Sequence, residues 1–240
     1  MRFYKFFISI FLIFTVCFYI TTPVFSEETT YVWSPNNNSL NDSTNDNSSQ
    51  VKETNSEVDE SNSLSLESGS AILIEQTTGQ VLYSHNAHEQ LRPASVTKVM
   101  SILLIMEALD SNKISLTDSV PCSENAASMG GSQIWLDPRE TLTVDEMLKA
   151  ICVNSANDCV VAMSEFIAGS EEAFVQLMND KAKELGMNDT CFKNCHGLDE
   201  DGHVTSAYDI SLMSRELLNN HPSVTNYTTI WTDTLRNRKI

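Results

Sequence analysis

Positive charge is scarce in this sequence. Fifteen lysines and arginines stand against 32 aspartates and glutamates, a formal charge of -17. Such a chain repels phosphate backbones, which argues against a nucleic-acid partner. Cysteine is scarce too: six in 240 residues are few for a disulfide scaffold, and they read as small buried hydrophobes. Cys191 and Cys195 would pair if a turn brought them together; Cys152 and Cys159 lie too near a predicted turn to assign. The main N-terminal apolar run is shorter than the roughly 20 residues a membrane span needs. No internal repeat is visible. The length suits one domain of ordinary size plus an appendage.

The appendage is N-terminal. Arg2 and Lys5 form a positive start, Phe6 to Ile20 an apolar centre, and Val24-Phe25-Ser26 a tolerable small-residue cleavage site. Residues 1–26 therefore read as a cleaved export signal. Val16, standing before Cys17 where a lipoprotein signal wants a smaller residue, argues against a lipid anchor. Cleavage removes Cys17 and leaves five cysteines. Residues 27–67 are rich in Asn, Ser, Asp and Glu and nearly free of large apolar side chains, so they read as a disordered linker. Asn37, Asn41 and Asn47 match the glycosylation acceptor pattern, which carries little weight in so Asn/Ser-rich a tract.

The folded part is expected from Ser68. Ala71 to Ile74 and Val81 to Tyr83 form a hairpin signal, with Gly79 supplying the turn. His85 and His88 fall in a polar loop and read as surface residues rather than as a metal site. Residues 113–139 read as loop, punctuated by Pro121, Gly130-Gly131 and Pro138. Thr143-Val144-Asp145-Glu146 is a capping-box pattern opening a helix to about Val153. Further helices are expected over residues 158–167, 171–185 and 207–218, and residues 226–240 suggest a helix end and the start of a strand. Arg139, Lys183 and Arg215 read as solvated face residues.

The chemistry is expected at two places. In Pro93-Ala94-Ser95-Val96-Thr97-Lys98 a serine precedes a lysine by three residues, at the head of an apolar run ending near Asp110. Residues three apart share a helix face, so the Ser95 hydroxyl and the Lys98 amine can meet. That pairing activates a serine without a histidine. Val96, Val99, Met100, Ile102, Leu103, Leu104 and Met106 leave no polar face, so the helix should be buried, and a lysine there needs a reason. About sixty residues on, Ser155 and Asn157 stand two apart in a turn between two predicted helices, where both can project into a shared cavity.

These two motifs occur together in penicillin-binding proteins and class A β-lactamases. From about Ser68 onward the chain resembles the serine-type D-alanyl-D-alanine carboxypeptidases of peptidase family S11, the low-molecular-weight penicillin-binding proteins. Ser70 to Glu75 and Gly79 to Tyr83 look like that family's opening hairpin, and Pro93 to Met100 like its nucleophile motif. Gly131 to Ile134, Asn154 to Asp158, Lys183 to Met187 and His196-Gly197-Leu198-Asp199 match as well. Cys195 stands where the family usually has proline. The resemblance implies an α/β (α+β) fold of the β-lactamase/transpeptidase type, an antiparallel sheet flanked by a helical subdomain. It implies catalytic roles for Ser95, Lys98 and Ser155, substrate binding by Asn157, and no metal or organic cofactor. His196, which could equally steady a loop, is left outside this set.

The implied substrate is the peptidoglycan stem peptide, with β-lactams as covalent inhibitors, acting at the cell wall or the outer face of the cytoplasmic membrane. No Lys-Thr-Gly motif follows Asn157. The expectation is therefore a truncated catalytic domain over 68–240, without its last sheet strands or a membrane-associating C-terminal region. A serine β-lactamase and a non-catalytic wall-binding remnant are the alternatives; residues 188–195 contain no glutamate for β-lactamase deacylation.

Overall fold

The computed structural model describes residues 66–236 and the backbone of residues 238 and 239. The expected export signal, its Cys17, the acceptor asparagines and all but the last two residues of the expected linker lie outside the described residues.

The described chain opens with strand β1 (Ala71–Ile74), paired antiparallel with β2 (Val81–His85). Gly79 makes the turn at a φ of 78°, a left-handed conformation that costs glycine nothing. A 3-10 turn (Ala94–Thr97) leads into helix α1 (Lys98–Asp110). Strand β3 (Ser119–Pro121) pairs with β4 (Thr141–Thr143), and a one-turn helix α2 (Glu124–Ala127) lies between them. Four longer helices follow: α3 (Val144–Asn154), α4 (Asn157–Ala168), α5 (Glu171–Glu184) and α6 (Ala207–Asn220). The short α7 (Thr225–Thr228) and the two-residue strands β5 (Thr234–Leu235) and β6 (Arg238–Lys239) end the order.

Helices α1 and α4 are the middle of the core. Met100, Leu103 and Ile105 of α1 and Cys159, Val160, Val161 and Met163 of α4 are fully buried. Helix α1 packs on α4, α5 and α6, and α4 also meets α2 and α3. With contacts on several sides, α1 has no need of a polar face, as its composition suggested. Val96 is the exception: it precedes the helix and is exposed. The capping box opening α3 is made in both directions, Glu146 N–H to Thr143 Oγ1 at 3.2 Å and Thr143 N–H to Glu146 Oε2 at 2.8 Å.

Several local expectations give way. The stretch expected as loop contains β3 and α2, too short to show a period; Val120 and Leu142 point inward as a buried cross-strand pair. His85 ends β2 rather than starting a loop. His88 does find a carboxylate: Nδ1 lies 2.8 Å from Asp189 Oδ2, and its ring stacks on Tyr208 at 4.5 Å. Cys191 and Cys195 are unpaired, as are Cys122, Cys152 and Cys159. The Cys191 backbone bridges to Val204, while the Cys195 carbonyl turns to Ser101.

Arg215 is not a solvated residue. From α6 it donates Nε to Gln76 O at 2.8 Å and Nη2 to Thr77 O at 2.7 Å, fastening the hairpin turn. Replacing it with methionine keeps the stem and removes both donors, leaving Gln76 O with Asn219 Nδ2 at 3.0 Å and Thr77 O to solvent. Urea unfolding is expected to show a loss of about 1–2 kcal/mol; an unchanged midpoint would remove the clasp from the account.

Candidate active site

Pro93 and a left-handed Ala94 (φ 46°) turn the chain into the 3-10 segment that carries Ser95. A 3-10 helix has three residues per turn, so positions i and i+3 eclipse. Ser95 and Lys98 are thereby stacked more closely than on an α-helix. Lys98 is 3% exposed. Its Nζ lies 3.2 Å from Ser95 Oγ and donates to the carbonyl of His196 at 2.7 Å. Burial pulls the amine down to about 8, with Cys195 opposing slightly. A tenth or so of such an amine is neutral at pH 7, against well under a thousandth for a free lysine.

The second motif occupies the junction of α3 and α4. Ser155 caps α3 in the left-handed region, φ 55°, and Ala156 is the extended cap of α4. This kink places a half-buried serine and the buried Asn157 at the same corner. Among the described residues no group bonds the Ser155 hydroxyl. Asn157 donates Nδ2 to Gly130 O at 2.7 Å, and its backbone N–H donates to Ser132 O at 2.7 Å. Its Oδ1 is buried without a partner. An unmade acceptor of this kind costs about 1–3 kcal/mol until a donor arrives.

Among the described residues no hydrogen bond joins the Ser95–Lys98 pair to the Ser155–Asn157 corner, and the close approaches at two glycines show what lies beside each. A side chain at Gly131 would sit 2.8 Å from Asn157 Nδ2 and 3.4 Å from Leu198. One residue earlier, a side chain at Gly197 would sit 1.9 Å from Ala94 O and 3.0 Å from Ser95 N. The turn Asn194–Leu198 thus seats Gly197 against Ala94 and Ser95 and brings Leu198 up to Gly131, which itself lies beside Asn157. The buried carboxylate of Asp158 steadies the facing wall by accepting N–H bonds from Ile134 (3.2 Å) and Leu136 (3.0 Å). Trp135, between these anchored amides, is left-handed (φ 56°) and 71% exposed.

The sequence did not mark His203, and it gave no role to the His196 carbonyl or to Gly197. His203 stands under the Ala94–Thr97 turn: Lys193 N–H donates to its Nδ1 at 2.9 Å, so the ring proton is on Nε2, 2.8 Å from Thr97 Oγ1. Burial lowers the pKa of this imidazole. The His196 carbonyl holds Lys98, and Gly197 is pressed against Ala94. The His-Gly-Leu-Asp run was visible, but a carbonyl acceptor has no signature in residue identity.

A buried amine beside a serine hydroxyl at the head of a core helix, together with a Ser-x-Asn corner between α3 and α4, is the pattern of the serine acyl-transfer folds. The family model for D-alanyl-D-alanine carboxypeptidases of peptidase family S11 matches residues 53–240. The chain belongs to that family. It is 58% identical over 173 residues to D-alanyl-D-alanine carboxypeptidase DacF of Bacillus subtilis, covering 72% of this chain and 44% of the relative. To DacC of Escherichia coli it is 37% identical over 164 residues, 66% of this chain and 41% of the relative. The chain thus spans less than half the length of these relatives. Among solved structures, penicillin-binding protein 6B of E. coli superposes with a TM-score of 0.69 at 33% identity, covering 72% of this chain and 56% of that one. Penicillin-binding protein D2 of Listeria monocytogenes in its ampicillin-bound form gives 0.65 at 29% identity, covering 74% and 72%. The fold is that of the penicillin-binding carboxypeptidases.

Proposed function

We propose that this protein is a serine-type D-alanyl-D-alanine carboxypeptidase that trims the terminal D-alanine from peptidoglycan stem peptides. The observation that carries the reading is the 3.2 Å contact between Ser95 Oγ and a buried Lys98 amine whose pKa lies near 8. Ser95 attacks the carbonyl between the two D-alanines as its proton passes to neutral Lys98. The backbone N–H of Ser95 supplies one donor to the oxyanion. Ser155, its hydroxyl uncommitted, returns the proton to the departing amine as the C–N bond breaks. Asn157 Oδ1, buried and unpartnered, accepts the N–H of the bound peptide. Water then cleaves the Ser95 ester. A β-lactam, attacked in the same way, opens its ring and remains on Ser95. The D2 relative named above was solved with ampicillin and, separately, with cefotaxime.

The reading includes export of residues 27–240 after cleavage at Ser26, with action on the outer side of the membrane. The secreted protein is expected to begin at Glu27 on N-terminal sequencing. Intact mass measured after penicillin treatment should rise by one penicillin per chain, and Ser95→Ala should abolish the gain. An adduct retained in Ser95→Ala, or rapid continuous nitrocefin turnover, would overturn the assignment.

A further inference from the structure

Lys98 leans on a backbone carbonyl, so whatever fixes that carbonyl also fixes the amine. The carbonyl is that of His196, in the turn Asn194–Leu198. Within the turn, Gly197 N–H donates to Asn194 Oδ1 at 2.7 Å and Asn194 Nδ2 donates to Leu198 O at 2.9 Å. From α1, Ser101 Oγ donates to Cys195 O at 2.6 Å. From α5, the first residue, Glu171, accepts the Cys195 N–H on Oε1 at 3.2 Å. The same carboxylate oxygen lies 3.5 Å from His196 Nε2. Leu198 N–H donates to His196 Nδ1 at 3.1 Å, which leaves the ring proton on Nε2, facing Glu171.

We propose that Glu171 is a positioning residue for Lys98: by holding the Cys195 amide and the His196 ring, it aims the His196 carbonyl at the amine. The inference rests on the reading of Lys98 as the base for Ser95. A neutral amine has two N–H bonds and one lone pair. With one N–H committed to His196 O, the lone pair can turn to the Ser95 hydroxyl. The clamp also keeps the amine dry, and burial is what lowers its affinity for a proton. Glu171 from α5, Lys98 from α1 and Glu200 and His203 from the following loop are the charged or titratable groups around His196, and Cys195 and His196 are those beside Lys98. Of these, Glu171 is the group that touches both the backbone and the ring of the turn. Its place at the N-terminus of α5 suits a carboxylate.

The test uses the full chain, labelled with carbon-13 in its lysine side chains. The Lys98 ε-methylene signal is assigned by its loss in Lys98→Met and titrated by NMR; acylation by a fluorescent penicillin is followed over the same pH range. Glu171→Met keeps bulk and loses the acceptor, with Glu171→Ala as a second truncation should the first not fold. Glu171→Gln keeps an acceptor for the Cys195 amide, and Glu172→Ala removes the neighbouring charge without touching the turn. In the truncations the Lys98 midpoint should rise by about half a unit or more toward that of an ordinary lysine, and acylation at pH 7 should fall by about tenfold. Glu171→Gln and Glu172→Ala should stay near the parent in both readouts. An unmoved Lys98 midpoint in the truncations, or an equal shift in Glu171→Gln or Glu172→Ala, overturns the proposal. A parent chain that takes no penicillin while the Lys98 midpoint moves as expected sinks the carboxypeptidase reading and leaves the positioning role standing.

Discussion

Lys98→Met is expected to lower penicillin acylation by about a thousandfold and to flatten its pH profile. In the parent, the rate should rise close to tenfold per pH unit up to about 8 and then level off, because that is where the Lys98 amine becomes neutral. The methionine variant has no such group and should show no inflection there. The same pKa makes a second, independent claim about stability. A buried amine at about 8 in the fold and at its ordinary 10.5 in the unfolded chain binds fewer protons when folded. Between these values stability therefore rises with pH; below about 8 the cost of burying the charge is fully present, and above 10.5 it is gone. After allowance for screening by solvent, that cost is on the order of 2 kcal/mol. Urea unfolding of parent and variant at pH 7 and at pH 10 should show the parent gaining on the variant as pH rises. A constant difference between them would mean that Lys98 is not held in the state the site requires.

The part of this site that depends on near neighbours in sequence was legible. Ser95 and Lys98 stand one turn apart, and the Thr143–Glu146 capping box spans three residues, so spacing alone indicates contact. The helices around them follow from apolar periodicity, and the kink at Ser155 from residues that favour turns. What stayed hidden depends on distant pairs. The Lys98 bond to the His196 carbonyl joins positions 98 residues apart, and Arg215 reaches Gln76 across 139. Reading Arg215 as solvated was reasonable for a half-polar helix face; only the hairpin lying against α6 shows what it holds. The acceptor for Lys98 is a main-chain oxygen, which any residue would supply. The dependence of Lys98 on burial rather than on a second cation was likewise open, since both lower an amine's pKa and residue order does not separate them. Strands β3 and β4, of three residues each, exist because Val120 and Leu142 meet across them, a tertiary fact that no local pattern carries.

Gly197→Ala is expected to be the most damaging single-methyl change in the described chain. The added carbon would lie 1.9 Å from Ala94 O and 2.5 Å from Ala94 C, and both are backbone atoms that no rotamer change can clear. At a φ of 93° the residue also leaves the region open to alanine, a penalty of roughly 1–2 kcal/mol by itself. The clash must push the turn Asn194–Leu198 away from the Ala94–Thr97 turn. That motion carries off the His196 carbonyl, which holds Lys98, and shifts Ser95 N, which stands 3.0 Å from the new carbon. A displaced oxyanion donor costs about a hundredfold in rate, so acylation should fall by at least that much in whatever protein folds, with stability lower by about 3 kcal/mol. Two other glycines separate the causes. Gly186 has a comparable φ of 75° and open space around it, so Gly186→Ala should cost about 1 kcal/mol and leave acylation unchanged. Gly131→Ala meets side-chain atoms alone, Asn157 Nδ2 at 2.8 Å and Leu198 Cδ2 at 3.4 Å, which can give where backbone cannot, and should weaken acylation less than Gly197→Ala does. If Gly197→Ala and Gly186→Ala proved alike in penicillin labelling and urea midpoint, the close seating of the turn beneath Ser95 would have no energetic consequence, and the arrangement that links Lys98 to His196 would lose its support.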